Sequence, residues 1–180
     1  IIRDYKTEQT MKLPPHEKED FERKHTGIRG QVVEMLLEGA NKDATSQPSG
    51  IHEGYYSYFI GNDCTKWASF VRLYNEVLIQ DVYSDIDIRY YFDNGLIRYD
   101  YIAKPGADLA QISLKINGSD GYKINDKGEL TLETSVGEIY HGKLYAYQQI
   151  GNTKDEIRCS FKKNRNGTIG LFSEEYNSAL

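Results

Sequence analysis

The amino-acid sequence predicts an all-β fold: an antiparallel β-sandwich or a curled β-meander, with an N-terminal arm or short helix in front of it. Three observations support that class. Residues Tyr83–Ile102 (YSDIDIRYYFDNGLIRYDYI) place Asn94-Gly95 between two runs of β-branched and aromatic residues. Asn-Gly is the strongest short-range hairpin signal, because a type I′ turn needs positive φ at both central positions. The chain also holds 15 Tyr and 6 Phe but only 4 Pro among 180 residues, and tyrosine, apolar along its ring and polar at its tip, suits half-buried strands. After Lys104, turn residues recur at short intervals between apolar runs, which is the spacing of sandwich and meander strands.

The central hairpin fixes a register. With Asn94 and Gly95 as the turn pair, Phe92 faces Ile97, Tyr90 faces Tyr99 and Ile88 faces Tyr101, all on one side with Ile86. The other side carries Asp87, Arg89, Tyr91, Arg98, Asp100 and Ile102, with Arg89 opposite Asp100 and Tyr91 opposite Arg98. One face is an aromatic slab and the other a ladder of charges, because side chains alternate across a strand.

The remaining elements follow in chain order. Residues 1–26 read as a charged connector: Pro14-Pro15 breaks regular structure, and HEKEDFERKH (His16–His25) has one apolar residue, Phe21, enough for a short and marginal helix at most. The β domain then runs from 27 to 180. Gln31–Glu38 reads as a strand ending at Gly39-Ala40, Asn41–Gly50 as a polar loop, and Tyr55–Ile60 as a strand. Gly61-Asn62-Asp63 turns the chain toward Trp67, and Val71–Ile79 is extended. Lys104–Asp108 ends the hairpin, since Pro105 cannot donate to a ladder and Gly106 permits a turn. Downstream, Gln111–Ile116 alternates, with Ile112, Leu114 and Ile116 on one face. Tyr122–Ile124 pairs with Glu129–Glu133 across Asn125–Gly128, and Glu138–His141 pairs with Lys143–Ile150 about Gly142. Gly151-Asn152 and Asn166-Gly167 lead into the last strands, Glu156–Lys162 and Thr168–Phe172.

Composition narrows the functional classes. Hydrophobic residues are 39% and charged residues 27%, the balance of a folded domain and not of a disordered one. A formal charge of −5 argues against nucleic acid as a partner, and Lys162-Lys163 with Arg165 reads as a solvated hairpin end. No apolar run approaches the roughly 20 residues that span a bilayer, and Ile1-Ile2-Arg3-Asp4 lacks the features of a signal peptide. No membrane insertion is expected, and the chain reads as a piece of a larger protein. Cys64 and Cys159 read as two free, buried thiols; a disulfide between them would need Cα atoms within about 7 Å.

The sequence points to no catalytic residue, cofactor or metal site. There is no Gly-rich phosphate loop, no paired-cysteine zinc motif and no Gly-x-Ser-x-Gly. His16 and His25 with neighbouring acids would make a metal or pH site, but a solvated linker accounts for them better. A dyad of Cys159 and His141 would need tertiary coincidence. The acids Asp81, Asp85, Asp87, Asp93 and Asp100 have the composition of glycosidase carboxylates or of a calcium site. Arg89 and Arg98 on the ladder face predict instead that the acids form structural ion pairs. The candidate binding residues are Trp67, Asp87, Arg89, Tyr91, Arg98 and Asp100. Trp67 with Tyr55, Tyr56 and Tyr58 would form a sugar-stacking platform, although core packing is the expectation for the single tryptophan. Asn117-Gly118-Ser119 and Asn166-Gly167-Thr168 match the glycosylation sequon and equally read as turns.

Several motifs occur together and in order: YFIGNDCTKWAS (Tyr58–Ser69), DVYSDIDIRYY (Asp81–Tyr91), LIRYDYIAKPGADLAQISLKING (Leu96–Gly118), GELTLETSVGEI (Gly128–Ile139) and YAYQ (Tyr145–Gln148). The set resembles the β-rich domain that precedes SBBP-type β-propeller repeats in secreted or cell-surface bacterial proteins, especially of the Bacteroidetes type. The resemblance covers the chain from about Gly27 onward. By position, Asp87 matches that family's Ile-Asp aspartate, Asp100 its Tyr-Asp aspartate, and Asp63 and Trp67 its Gly-Asn-Asp…Trp element. The chain departs at Cys64, where proline is usual, and at Ser84-Asp85, where Pro-Gly is usual. The resemblance implies a non-catalytic extracellular module serving adhesion or assembly, with other protein chains or other domains of the parent protein as partners. A carbohydrate-binding or carbohydrate-active role, using surface aromatics and acids, is the alternative.

Overall fold

The computed structural model describes residues 30–174 and 176–179; the charged connector assigned to 1–26 lies outside them. The described chain is all-β and entirely antiparallel, interrupted by two short 3-10 turns at Cys64–Lys66 and Leu109–Gln111. The strands in order are β1 (Glu34–Leu37), β2 (Thr45–Tyr58), β3 (Ala68–Tyr83), β4 (Ile86–Asp93), β5 (Leu96–Ala103), β6 (Ser113–Asn117) and β7 (Gly121–Ile124). They continue with β8 (Leu130–Thr134), β9 (Gly137–His141), β10 (Ala146–Ile150), β11 (Thr153–Ile157), β12 (Cys159–Lys163) and β13 (Ile169–Ser173). They form two compact units.

One unit joins the described residues up to Glu38 with Ile112–Tyr176. It holds a four-stranded sheet in the order β1-β6-β13-β12, a three-stranded sheet β7-β8-β9 and the hairpin β10-β11. Leu114, Leu130, Leu132, Phe161 and Ile169, drawn from both larger sheets, form its buried core. The expected alternation holds in β6, where Leu114 is buried and Ile116 packs against that core. Backbone contacts add to the side-chain packing: Phe161 N–H donates to Gly128 O at 3.0 Å. Gly128 has φ +73°, and a Cβ there would meet the Ser160 Cβ at 2.1 Å, so only glycine fits that turn. Gln31 ties two turns together, donating to Gly118 O and accepting from Ser135 N, each at 2.7 Å.

The other unit comprises Gly39–Gln111 with the residues from Asn177 onward. It is a four-stranded meander, β2-β3-β4-β5. The β4–β5 register is the one the Asn-Gly turn dictates: Phe92 pairs with Ile97, Tyr90 with Tyr99, Ile88 with Tyr101 and Arg89 with Asp100. Asn94 (φ 50°) and Gly95 (φ 77°) supply the positive torsions. Replacing Gly95 with alanine should therefore cost about 1 kcal/mol, read as a lower midpoint in denaturant unfolding, whereas Asn94→Gly should be close to neutral.

Three expectations are corrected here. Residues 45–50 are strand and not loop, because β3 supplies a partner for them; Pro48 is tolerated since β2 lies at the sheet edge. Gly142 does not centre a hairpin. β9 pairs back onto β8 through the tight Ser135-Val136 turn, and β10 pairs forward onto β11 across Gly151-Asn152. The two thiols are free, but Cys64 is exposed and Cys159 half-buried.

Candidate functional site

The charge ladder is internally paired. Arg89 Nη2 lies 2.5 Å from Asp100 Oδ2, and Tyr91 Oη donates to Asp100 Oδ1 at 3.3 Å. The Arg89 guanidinium also sits over the Tyr91 ring, 4.8 Å from its centroid. The hydrogen bond that Arg89 donates to Asp100 raises the Arg89 pKa, keeping it charged. Arg98 reaches along the turn to Asp93, Nε to Oδ2 3.3 Å. The carboxylates of this face are thus engaged by cations, as cross-strand pairs on a sheet usually are.

Asp87, the buried aspartate on this face, takes a different partner. It accepts from Asp81 N–H at 2.8 Å and lies 3.4 Å from Lys104 Nζ, which also donates to Asp81 Oδ1 at 2.8 Å. Asp81 adopts φ 52°, and Asn41 Nδ2 donates to its carbonyl at 3.1 Å. This cluster closes the corner where β3 bulges and β5 ends. No group of three or more ligand side chains able to hold a metal occurs among the described residues; Asp81 and Asp87 meet at Lys104, while Asp100 and Asp93 pair separately with Arg89 and Arg98.

Behind the ladder, Tyr99 and Tyr101 are held neutral by burial. The Tyr99 phenol is pushed up to about 12 from 10.0, and that of Tyr101 is raised further. A phenol whose folded pKa exceeds its unfolded value stabilises the fold fully below pH 10 and loses that contribution as pH rises toward 12. An ultraviolet absorbance titration should accordingly show tyrosine ionisation that appears only as the protein unfolds in alkali, and Tyr99→Phe and Tyr101→Phe should each remove part of it. Elsewhere, burial lowers the His141 pKa and raises that of Cys159, the opposite of what a thiolate–imidazolium dyad requires.

A different surface stands out by exposure. The β3–β4 ladder stops at the Glu76–Tyr91 pair, while β2 and β3 continue alone to the turn at 59–67. The resulting two-stranded ribbon projects roughly 25 Å at 3.3 Å per residue. Tyr55 lies opposite Arg72 and Tyr56 opposite Val71, so neighbouring aromatics fall on both faces. Phe59 is 59% exposed, Ile60 77% and Phe70 68%. Rings meet in pairs: Tyr55 with Phe70 at 4.7 Å, Tyr56 with Tyr58 at 6.3 Å, and Phe59 with Trp67 edge-on at 5.5 Å. Trp67 is 43% exposed and donates its Nε1–H to Gly61 O at 3.2 Å, correcting the expectation that it fills a core. Asp63 caps the adjoining 3-10 turn, accepting from Thr65 N and Oγ1. Trp67 is therefore apart from Asp87, Arg89, Tyr91, Arg98 and Asp100, which share the body of the sheet.

Compared with known families, residues 3–180 match the one described as Domain of unknown function (DUF7948). The chain belongs to the DUF7948 family. No curated protein and no solved structure matches it. In this DUF7948 chain neither the pairing of Lys104 with Asp87 nor the joint exposure of Phe59, Ile60 and Phe70 follows from the hairpin register. A signal for the second existed: YYSYFI has no polar alternation, which in a strand means apolar surface on both faces.

Proposed function

We propose that this chain is a non-catalytic interaction module of a secreted or surface bacterial protein, binding a protein partner through the β2–β3 ribbon. The observation that carries the interaction is the ribbon itself: two strands beyond the sheet, apolar on both faces and largely exposed. Such contiguous exposed apolar surface marks binding sites in folded proteins, and exposed aromatics make effective interface anchors. The extracellular setting rests on the resemblance to domains that precede SBBP-type repeats.

The carbohydrate alternative has less support. A stacking platform needs coplanar rings, whereas these pairs are tilted by 42°, 47° and 76°. Hydrolysis needs two available carboxylates facing a cleft, and Asp87 and Asp100 are engaged by Lys104 and Arg89. The test is site-directed photocrosslinking in the native host, with a photoreactive phenylalanine at Phe59 or Phe70 and a control at exposed Tyr140. One protein partner captured from the ribbon positions and not from Tyr140 is the expected result. Equal labelling from all three positions would remove the reading. Saturable glycan binding lost in Trp67→Ala would replace it with the carbohydrate one.

A further inference from the structure

We infer that the β3 edge of the ribbon, Val71–Asn75, receives an extended segment of a partner chain as an added strand carrying an acidic residue opposite Arg72. The inference rests on the interaction reading above and specifies its mode. β3 has β2 on one side from Ala68 to Gln80, but its other side is paired with β4 only from Glu76 onward. Val71–Asn75 therefore presents a row of backbone groups beside the β4–β5 turn, and Phe70 at φ 55° together with the register shift between Tyr56 and Tyr58 ends that row toward Ala68. What satisfies an open strand edge is another strand.

The two edges of the ribbon differ. The outer edge of β2 carries Pro48, Gly50 at φ 67° and a register break between Ile51 and Tyr55, the features that blunt an edge against pairing. The β3 edge from Val71 to Asn75 has neither proline nor glycine and no residue at positive φ; the extra residues at the break opposite Leu73 lie on β2, and the left-handed residue of β3, Phe70 (φ 55°), lies just before this segment. An added strand there would lie alongside β3, its side chains next to Val71 and Leu73 on one face and next to Arg72 and Tyr74 on the other, ending against the Asn94-Gly95 turn beside exposed Phe92 and Ile97. Charge then selects the occupant. Arg72 forms no ion pair among the described residues, in contrast to Arg89 and Arg98. An apolar segment with one acid on the Arg72 face supplies the missing partner.

The experiment uses the full chain and a synthetic peptide about as long as Ala68–Asn75, alternating valine and threonine with a central aspartate. Controls are the same peptide with lysine at the centre, and a version N-methylated along one edge. The aspartate peptide should bind about tenfold more tightly than the lysine peptide. It should slow amide exchange at Val71–Asn75 and lose binding on N-methylation. In Arg72→Glu, at an exposed position, the preference should reverse. Equal binding of the N-methylated peptide would overturn strand addition while leaving a side-chain interface on the ribbon intact. No peptide binding, with ribbon crosslinks still present, would do the same. Protection of Val71–Asn75 that grows with protein concentration alone would assign the edge to a second copy and overturn the occupant named here. Loss of both crosslinks and peptide binding would overturn the interaction reading with it.

Discussion

Replacing Leu130 with alanine should destabilise the chain by about 2–5 kcal/mol. Leu130 is fully buried, and it shares its core with Leu114, Leu132, Phe161 and Ile169. It lies on β8, the central strand of the three-stranded sheet. A central strand cannot shift outward to fill a void, because ladders hold it on both sides. Truncation there loses transfer free energy and leaves most of a cavity behind. Thr131, one residue on, points to the opposite face, and Thr131→Ala should cost less than about 1 kcal/mol. Urea unfolding followed by far-ultraviolet circular dichroism measures both. An unchanged midpoint for Leu130→Ala would show that the two sheets do not share this core.

The parts of this fold that could be read from the sequence are the local ones. The β4–β5 register follows from two residues, because Asn94 and Gly95 leave one turn geometry and the turn sets every pair after it. Alternation in β6 and β8 identifies which side of each strand is buried. It does not identify the neighbour: β1 pairs with β6, and β6 with β13, across long sequence separations that no local pattern encodes. Residues 45–50 show the same limit, since a polar, exposed edge strand has the composition of a loop until its partner is known.

The candidate site divides along the same line. Arg89 with Asp100 was legible as a cross-strand pair once the register was set. Asp87 with Lys104 was not, because the register neighbour of Asp87 is Ile102 and Lys104 lies just past the end of β5. Trp67 was assigned to a core on the general behaviour of large aromatics. That argument fails where both faces of a ribbon are apolar and nothing in its own unit covers them.

Asp87→Ala is expected to cost about 1–3 kcal/mol, whereas Asp100→Ala should cost less than about 1 kcal/mol. The two aspartates sit on the same sheet face and each meets a cation, so a simple count of ion pairs would rank them equally. Burial separates them. The Asp87 side chain is 10% exposed, against 39% for both Asp100 and Arg89. Removing Asp100 leaves Arg89 partly in water, which compensates much of the loss. Removing Asp87 leaves the Asp81 N–H without its acceptor at a backbone position already at positive φ, and water is poorly placed to replace it. Lys104 retains Asp81, which is why the full cost of breaking a buried pair is not expected. Salt should distinguish the two as well: added sodium chloride should shrink the Asp100 effect and leave most of the Asp87 effect. Since Asp87, on β4, bonds Asp81 near the end of β3 opposite Ala68, Asp87→Ala should bind the aspartate peptide as the parent chain does at temperatures where both are folded. A variant that loses stability and keeps binding makes the corner scaffold and the ribbon site; one that keeps stability and loses binding reverses those roles.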